Sequence, residues 1–180
     1  MPPTTSATPR ALSDSEPATG PATRPHIAVR PATLEDGGHM WRLARDSGAL
    51  DLNTSYAYLL FARDFSRTCR VAVVDGEVAG FVLGYRRPDA PDTLFVWQVA
   101  VDPAQRGRQL AGRLLADVSA GVRFVEASIT ADNAASQRLF ERFAQERGVA
   151  LERADFFSST DFPDAGHETE GLVRIGPLDR

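Results

Sequence analysis

Hydrophobic and polar positions change period several times along this chain, and the changes mark its elements. Residues 1–25 are rich in Pro, Thr, Ser and Ala, and Leu12 is their only large apolar side chain after the initiator Met. That pattern predicts a disordered tail, followed by one globular domain over residues 26–180. A short strand is expected over 27–30. A helix then starts at 33–35 and runs to about Gly48, with Met40, Trp41, Leu43 and Ala44 facing inward. Asn53 or Thr54 can cap a second helix that carries Tyr58, Phe61, Ala62 and Phe65.

Apolar runs at 70–74 and 78–85 flank Asp75-Gly76, a hairpin signal, and a longer strand over 93–101 follows the loop at 88–91. A helix over 106–120 ends at Gly121, and a strand is expected over 122–129. Asp132 or Asn133 caps a helix to about Gly148, and strands near 151–157 and 171–175 complete the sheet. This order predicts an α/β (α+β) fold, with a central mixed, mostly antiparallel sheet flanked by helices.

At 180 residues and 43% hydrophobic content, the chain can bury one good core. A net charge of -4 and a pI near 5.4 argue against general nucleic-acid binding, which leans on clustered positive charge. All basic side chains are arginine, so lysine Schiff-base chemistry is excluded. The single cysteine, Cys69, cannot form an internal disulfide or a multi-cysteine metal site, and it reads as a small buried apolar residue. Three scattered histidines give no metal-ligand spacing, so no metal is expected. No apolar run reaches the length of a membrane helix and no signal peptide is recognisable, so a soluble, cytoplasmic protein without membrane association is expected.

The most specific stretch is the apolar strand through Val101, followed by a turn rich in Arg and small residues that opens a helix near Leu110. The first amides of a helix lack intrahelical acceptors and, with the macrodipole, attract anions, while Arg106, Arg108 and Arg113 add positive charge. A P-loop would need a lysine and a dinucleotide loop three spaced glycines, and neither is present. The plainer alternative is that Gly107 and Gly112 serve only the turn and the arginines are a solvated face.

Arg106, Gly107, Arg108, Gln109, Leu110 and Ala111 resemble the acyl-CoA loop of the GCN5-related N-acetyltransferases (GNAT), in which Arg or Gln is followed by two variable residues, Gly, one variable residue, and Gly or Ala. Gln109 replaces the first Gly of that pattern. The resemblance implies the GNAT fold and acetyl-CoA as co-substrate, with Val99, Ala100 and Val101 along pantetheine and residues 106–112, Gly112 included, around the pyrophosphate. It also implies a backbone N–H from Val99 or a neighbour for the oxyanion, and Asn133 and Ser136 beside pantetheine. Ordinary N-capping is the alternative for Asn133. If position 109 needs positive φ, Gln there costs about 1 kcal/mol or more. Phe140 stands where many relatives carry a proton-donating Tyr. The thiolate then leaves unprotonated, given a thiol pKa near 8.5, or takes a proton from water or another group.

The segments DLNTSYAY at 51–58, DTLFVWQVAV at 92–101, TADNAAS at 130–136 and GHE at 166–168 look like the L-2,4-diaminobutyrate acetyltransferase family of ectoine synthesis. That resemblance implies acetylation of the γ-amine of diaminobutyrate in a ternary complex, and a homodimer. It assigns the acceptor to Asp51, Tyr56, Trp97, His167 and Glu170, with Glu170 or Asp51 as the base. Taken singly, Trp97 and Tyr56 read equally as core, Asp51 as a charge at a helix start, and His167 and Glu170 as solvated loop residues. An acetyltransferase for another small diamine, and a noncatalytic acetyl-CoA-binding module, are the competing readings.

Overall fold

In the computed structural model, which describes residues 25–48 and 50–179, Asp75 and Gly76 have φ of 50° and 93°. Left-handed backbone at both central residues is what a tight hairpin requires, and the turn joins β2 (Cys69–Val74) to β3 (Glu77–Arg87). The tail expected over 1–25 lies outside the described residues apart from Pro25. Before the hairpin come β1 (Ile27–Pro31), α1 (Gly37–Ser47) and α2 (Ser55–Asp64). After it come β4 (Ala90–Val101), α3 (Leu110–Val118), β5 (Phe124–Thr130), α4 (Ala134–Arg147), β6 (Leu151–Phe157) and β7 (Glu170–Ile175).

The seven strands form one sheet in the order β1-β2-β3-β4-β5-β7-β6. Only β4 and β5 run parallel, with α3 as the crossover between them, and every other pairing is antiparallel. The mixed, mostly antiparallel sheet flanked by helices is the expected fold class.

Successive side chains of a strand point to opposite faces, and the two cores follow that rule. Val71, Phe81 and Leu83 pack with Met40, Ala44, Tyr58 and Ala62 under α1 and α2. Ala72, Val82, Leu94 and Val125 pack with Leu114, Leu115, Phe140 and Phe143 under α3 and α4. Strand β3 is buried continuously through its centre because it is covered on both faces, so its sequence reads as an unbroken apolar run.

Two features depart from expectation. The helix expected over 106–120 is shorter, because Gly107 (φ 81°) and Gln109 (φ 59°) are left-handed and cannot belong to a right-handed helix. At its other end the helix stops at Val118, with Ser119 as its C-cap, before Gly121 turns left-handed at φ 76°. The second feature is a β-bulge in β4: Leu83 pairs with Gln98 and Gly84 with Val96, so Trp97 is the extra residue.

Gly84 faces that bulge closely. A Cβ there would meet the Phe95 carbonyl oxygen at 2.6 Å and Leu94 Cδ1 at 3.2 Å. Gly84→Ala is therefore expected to destabilise the fold by about 2 kcal/mol, roughly 6 °C in Tm, through overpacking against backbone. Thermal unfolding measures this, and an unchanged Tm would mean that the two strands are not held this close.

Candidate active site

The parallel ladder of β4 and β5 ends at the Val96–Ala127 pair. Beyond it β5 pairs with β7 through Thr130, while β4 continues to Val101 paired only with β3. Between the diverging strands lies an open cleft of about 1030 Å³, walled by residues 96–99 of β4 and 127–130 of β5. Alternate backbone groups of β4 thus face an opening where a neighbouring strand would otherwise sit.

One end of the cleft is built by the bulge. Val96 belongs to the core beneath α3 and α4. Trp97 stacks on Phe61 of α2, with ring centroids 4.9 Å apart. Gln98 also turns toward α2, where the Tyr58 hydroxyl donates to Gln98 Oε1 at 2.9 Å, and Gln98 Nε2 donates to the Asp51 carbonyl at 2.8 Å. Asp51 and Trp97 therefore come to the same cleft from segments far apart in sequence.

The loop between β6 and β7 supplies His167 and Glu168, and the start of β7 supplies Glu170. Phe162 stacks on the His167 ring at 4.2 Å and 8°, and His167 Nε2 lies 3.2 Å from Asp164 Oδ1. Glu170 opens β7 and is paired in register with Thr130 on one side and Phe157 on the other, so its backbone is fixed by two strands. Among the described residues, the cleft is lined by four carboxylates, Asp51, Asp132, Glu168 and Glu170, and by no arginine. Such a wall favours a cationic guest and disfavours an anionic one.

The opposite charge collects elsewhere. Helix α3 begins after Gln109, and its first internal hydrogen bond runs from Arg113 N to Gln109 O, leaving the amides of Leu110, Ala111 and Gly112 without intrahelical acceptors. Arg106 and Arg108 flank this turn, an arrangement suited to phosphate. The Leu110 side chain itself is core, at 2% exposure. Gln109, Ala111, Gly112 and Arg113 line a smaller groove of about 340 Å³ against α4.

Among the other expected site residues, Val99, Asn133 and Ser136 line the main cleft, as does buried Phe140. Asn133 Oδ1 accepts the Ser136 amide at 3.0 Å, so its side chain caps α4. Ala100 is buried beneath α1 and α2, and Val101 packs beneath α3 and α4, so any ligand contact of theirs is through backbone. Tyr56 is 68% exposed on the first turn of α2 and is not part of the cleft wall. Cys69 is fully buried, and burial pushes its thiol up to about 11, which suits the packing role expected of it. No group of three or more metal-ligating side chains occurs among the described residues, and no helix among them is long and apolar enough to cross a membrane.

Three polar groups were not foreseen. In the sequence Tyr58 is only one of the side chains carried by the second helix, and Gln98 and Glu126 stand out in no motif. Glu126 is in fact buried, and it accepts hydrogen bonds from Arg87 Nη1 at 3.0 Å and from Arg174 on the neighbouring strand. The only available signal was a polar residue inside an otherwise apolar strand.

Residues 38–144 match the acetyltransferase (GNAT) family. The chain is 53% identical over 163 residues to the L-2,4-diaminobutyric acid acetyltransferase of Streptomyces coelicolor, covering 86% of this chain and 91% of that one. It is 46% identical to the enzyme of the same name from Marinococcus halophilus, with 81% and 87% covered. The chain belongs to the L-2,4-diaminobutyric acid acetyltransferase family of GNAT proteins. A solved structure of the diaminobutyrate acetyltransferase EctA from Paenibacillus lautus, in complex with L-2,4-diaminobutyric acid and coenzyme A, superposes with a TM-score of 0.82 at 37% identity, over 87% of this chain and 98% of that one.

Within this GNAT chain, position 109 carries backbone strain: Gln109 sits at φ 59°, ψ 27°, where L residues pay a steric penalty that glycine does not. Gln109→Gly is expected to raise stability by about 1 kcal/mol in thermal or urea unfolding. A loss of stability would show that the Gln109 side chain makes compensating contacts.

Proposed function

We propose that this protein transfers the acetyl group of acetyl-CoA to the γ-amine of L-2,4-diaminobutyrate, giving N4-acetyl-L-2,4-diaminobutyrate for synthesis of the compatible solute ectoine. The observation that carries the reading is the division of charge. A cleft lined, among the described residues, by four carboxylates and no arginine suits an acceptor with two amines, and the arginine-flanked start of α3 suits the phosphates of CoA. The family relationship supports the same acceptor and donor.

In this reading Asp51 and Glu170 hold ammonium groups, His167 donates to the acceptor's carboxylate, and Trp97 packs its short methylene chain, while Tyr56 stands outside the cleft wall. The β4 backbone at Val99, Ala100 and Val101 pairs with pantetheine, and a backbone N–H at Val99 or a neighbour stabilises the developing oxyanion. Residues 106–112 take the pyrophosphate, and Asn133 and Ser136 flank the pantetheine arm. A free alkylamine has a pKa near 10.4, so the acceptor arrives protonated and must lose a proton before attack. Glu170 or Asp51, directly or through a water, takes that proton, the free amine attacks the thioester carbonyl, and collapse of the tetrahedral intermediate breaks the C–S bond and releases CoA as its thiolate. The working unit is a cytoplasmic homodimer built from one GNAT domain over residues 26–180.

Thiol release from acetyl-CoA is to be followed with diaminobutyrate, ornithine, diaminopropionate and lysine, with mass spectrometry locating the acetyl group. Preferred γ-acetylation of diaminobutyrate is expected. Preference for another amine would overturn the acceptor, and acetyl-CoA binding without any amine-dependent turnover would leave only a binding module. One methylene is worth about 1 to 3 kcal/mol, so slower turnover of the neighbouring diamines is consistent with the proposal. Glu170→Gln is expected to lower kcat about 100-fold at neutral pH, with a smaller change in amine KM. Full kcat in that variant would remove Glu170 as the base.

A further inference from the structure

The polar contact beneath α2 has no packing reason to be polar. Tyr58 is 1% exposed and Gln98 5%, and Tyr58 belongs to the apolar cluster that joins α1 and α2 to the sheet. A hydroxyl and a carboxamide there must both find partners or destabilise the fold. A purely structural pair would close on itself, but this one does not. The second bond of Gln98 runs outward, from Nε2 to the Asp51 carbonyl at 2.8 Å, and Asn53 Nδ2 reaches the same oxygen at 3.4 Å.

Asp51 lies in an exposed segment between α1 and α2, outside regular structure. Side-chain donors from β4 and Asn53 therefore tether it where a strand would use a ladder. The amide of Gln98 can face only one way. The Asp51 carbonyl requires a donor, so Nε2 points at it and Oε1 is left to accept from Tyr58. Burial pushes the Tyr58 phenol up, which keeps its proton in place for that bond.

The bulge makes the contact possible. Counting from Val96, which faces α3 and α4, regular alternation would send Gln98 to that same face. The extra residue instead turns both Trp97 and Gln98 toward α2, where one stacks on Phe61 and the other bonds Tyr58. One backbone irregularity thus places Trp97 and, through Gln98, the Asp51 segment.

We propose that Gln98 is a positioning residue for the acceptor amine, fixing the Asp51 segment against Trp97 through the Asp51 carbonyl. The inference rests on the assignment of Asp51 and Trp97 to the acceptor made above. Its action is on acceptor affinity, because the hydrogen bonds that hold the Asp51 carbonyl come from Gln98 of β4 and from Asn53, not from α3 or α4.

Gln98→Glu keeps the shape and the acceptor for Tyr58 but sets a carboxylate oxygen against the Asp51 carbonyl. Gln98→Leu removes both bonds, and Tyr58→Phe removes the hydroxyl's contacts with Gln98 and Asn53 while keeping the Gln98–Asp51 bond. Steady-state kinetics should show amine KM raised about tenfold or more in both Gln98 variants, with acetyl-CoA KM within about twofold, and a smaller rise in the same direction for Tyr58→Phe. Titrating diaminobutyrate against tryptophan fluorescence should show the same loss of affinity without turnover. An unchanged amine KM in folded Gln98→Glu would overturn the inference, as would a parallel rise in both KM values. If neither Gln98 variant folds, an unchanged amine KM in Tyr58→Phe overturns it. Failure of the wild type to use diaminobutyrate overturns the acceptor reading instead, and the same KM split on its preferred amine then decides Gln98. Absence of turnover with every amine overturns both.

Discussion

The divergence of β4 from β5 after the Val96–Ala127 pair is the constraint on which the rest of the site depends. A parallel ladder that continued to Val101 would satisfy both strands with each other and leave no room between them. Past that pair β5 keeps only β7 on its other edge, so the end of β4 is free on one side, and the cleft opens at the point where backbone groups are available. Both halves of the proposed chemistry meet there: phosphate-binding amides come from the helix that follows β4, and the acceptor wall comes from segments packed around its bulge.

Charge is kept apart along this axis. The acidic cleft wall and the arginine-flanked turn are built by different segments of the chain. The buried charges that do occur are paired. Glu126 takes two arginines, Arg174 from neighbouring β7 and Arg87 from β3 across β4, and Asp36 takes both nitrogens of the Arg30 fork together with the Thr33 amide. These pairs are structural, and neither Glu126 nor Asp36 is part of the cleft wall.

Local signals in the sequence were sufficient wherever a feature depends on neighbours in the chain. Asp75-Gly76 specified the hairpin, Asn133 the start of α4, and alternating or continuous apolar runs the strands. What depends on a partner strand was not legible. The bulge at Trp97 exists because β3 pairs Leu83 and Gly84 across a skipped residue, and no property of Trp97 alone encodes it. The start of α3 was misjudged for a related reason. Arginine and glutamine favour helices, yet Gly107 and Gln109 take left-handed backbone to shape the turn, and that conformation is not a property of the residue type. Asp51, Trp97, His167 and Glu170 were found through family resemblance, and the fold brings them to one cleft. Gln98 and Tyr58, which join α2 to that cleft, gave no signal of their own.

The most direct measurement is a crystal structure with coenzyme A and L-2,4-diaminobutyrate bound together. The account predicts pantetheine lying between β4 and β5 and bonded to the free edge of β4, with the γ-nitrogen about 3.5 Å from the acetyl-transfer position and enclosed by Asp51, Trp97 and Glu170. Coenzyme A bound outside the divergence of the two strands, or diaminobutyrate bound away from the acidic wall, would contradict it.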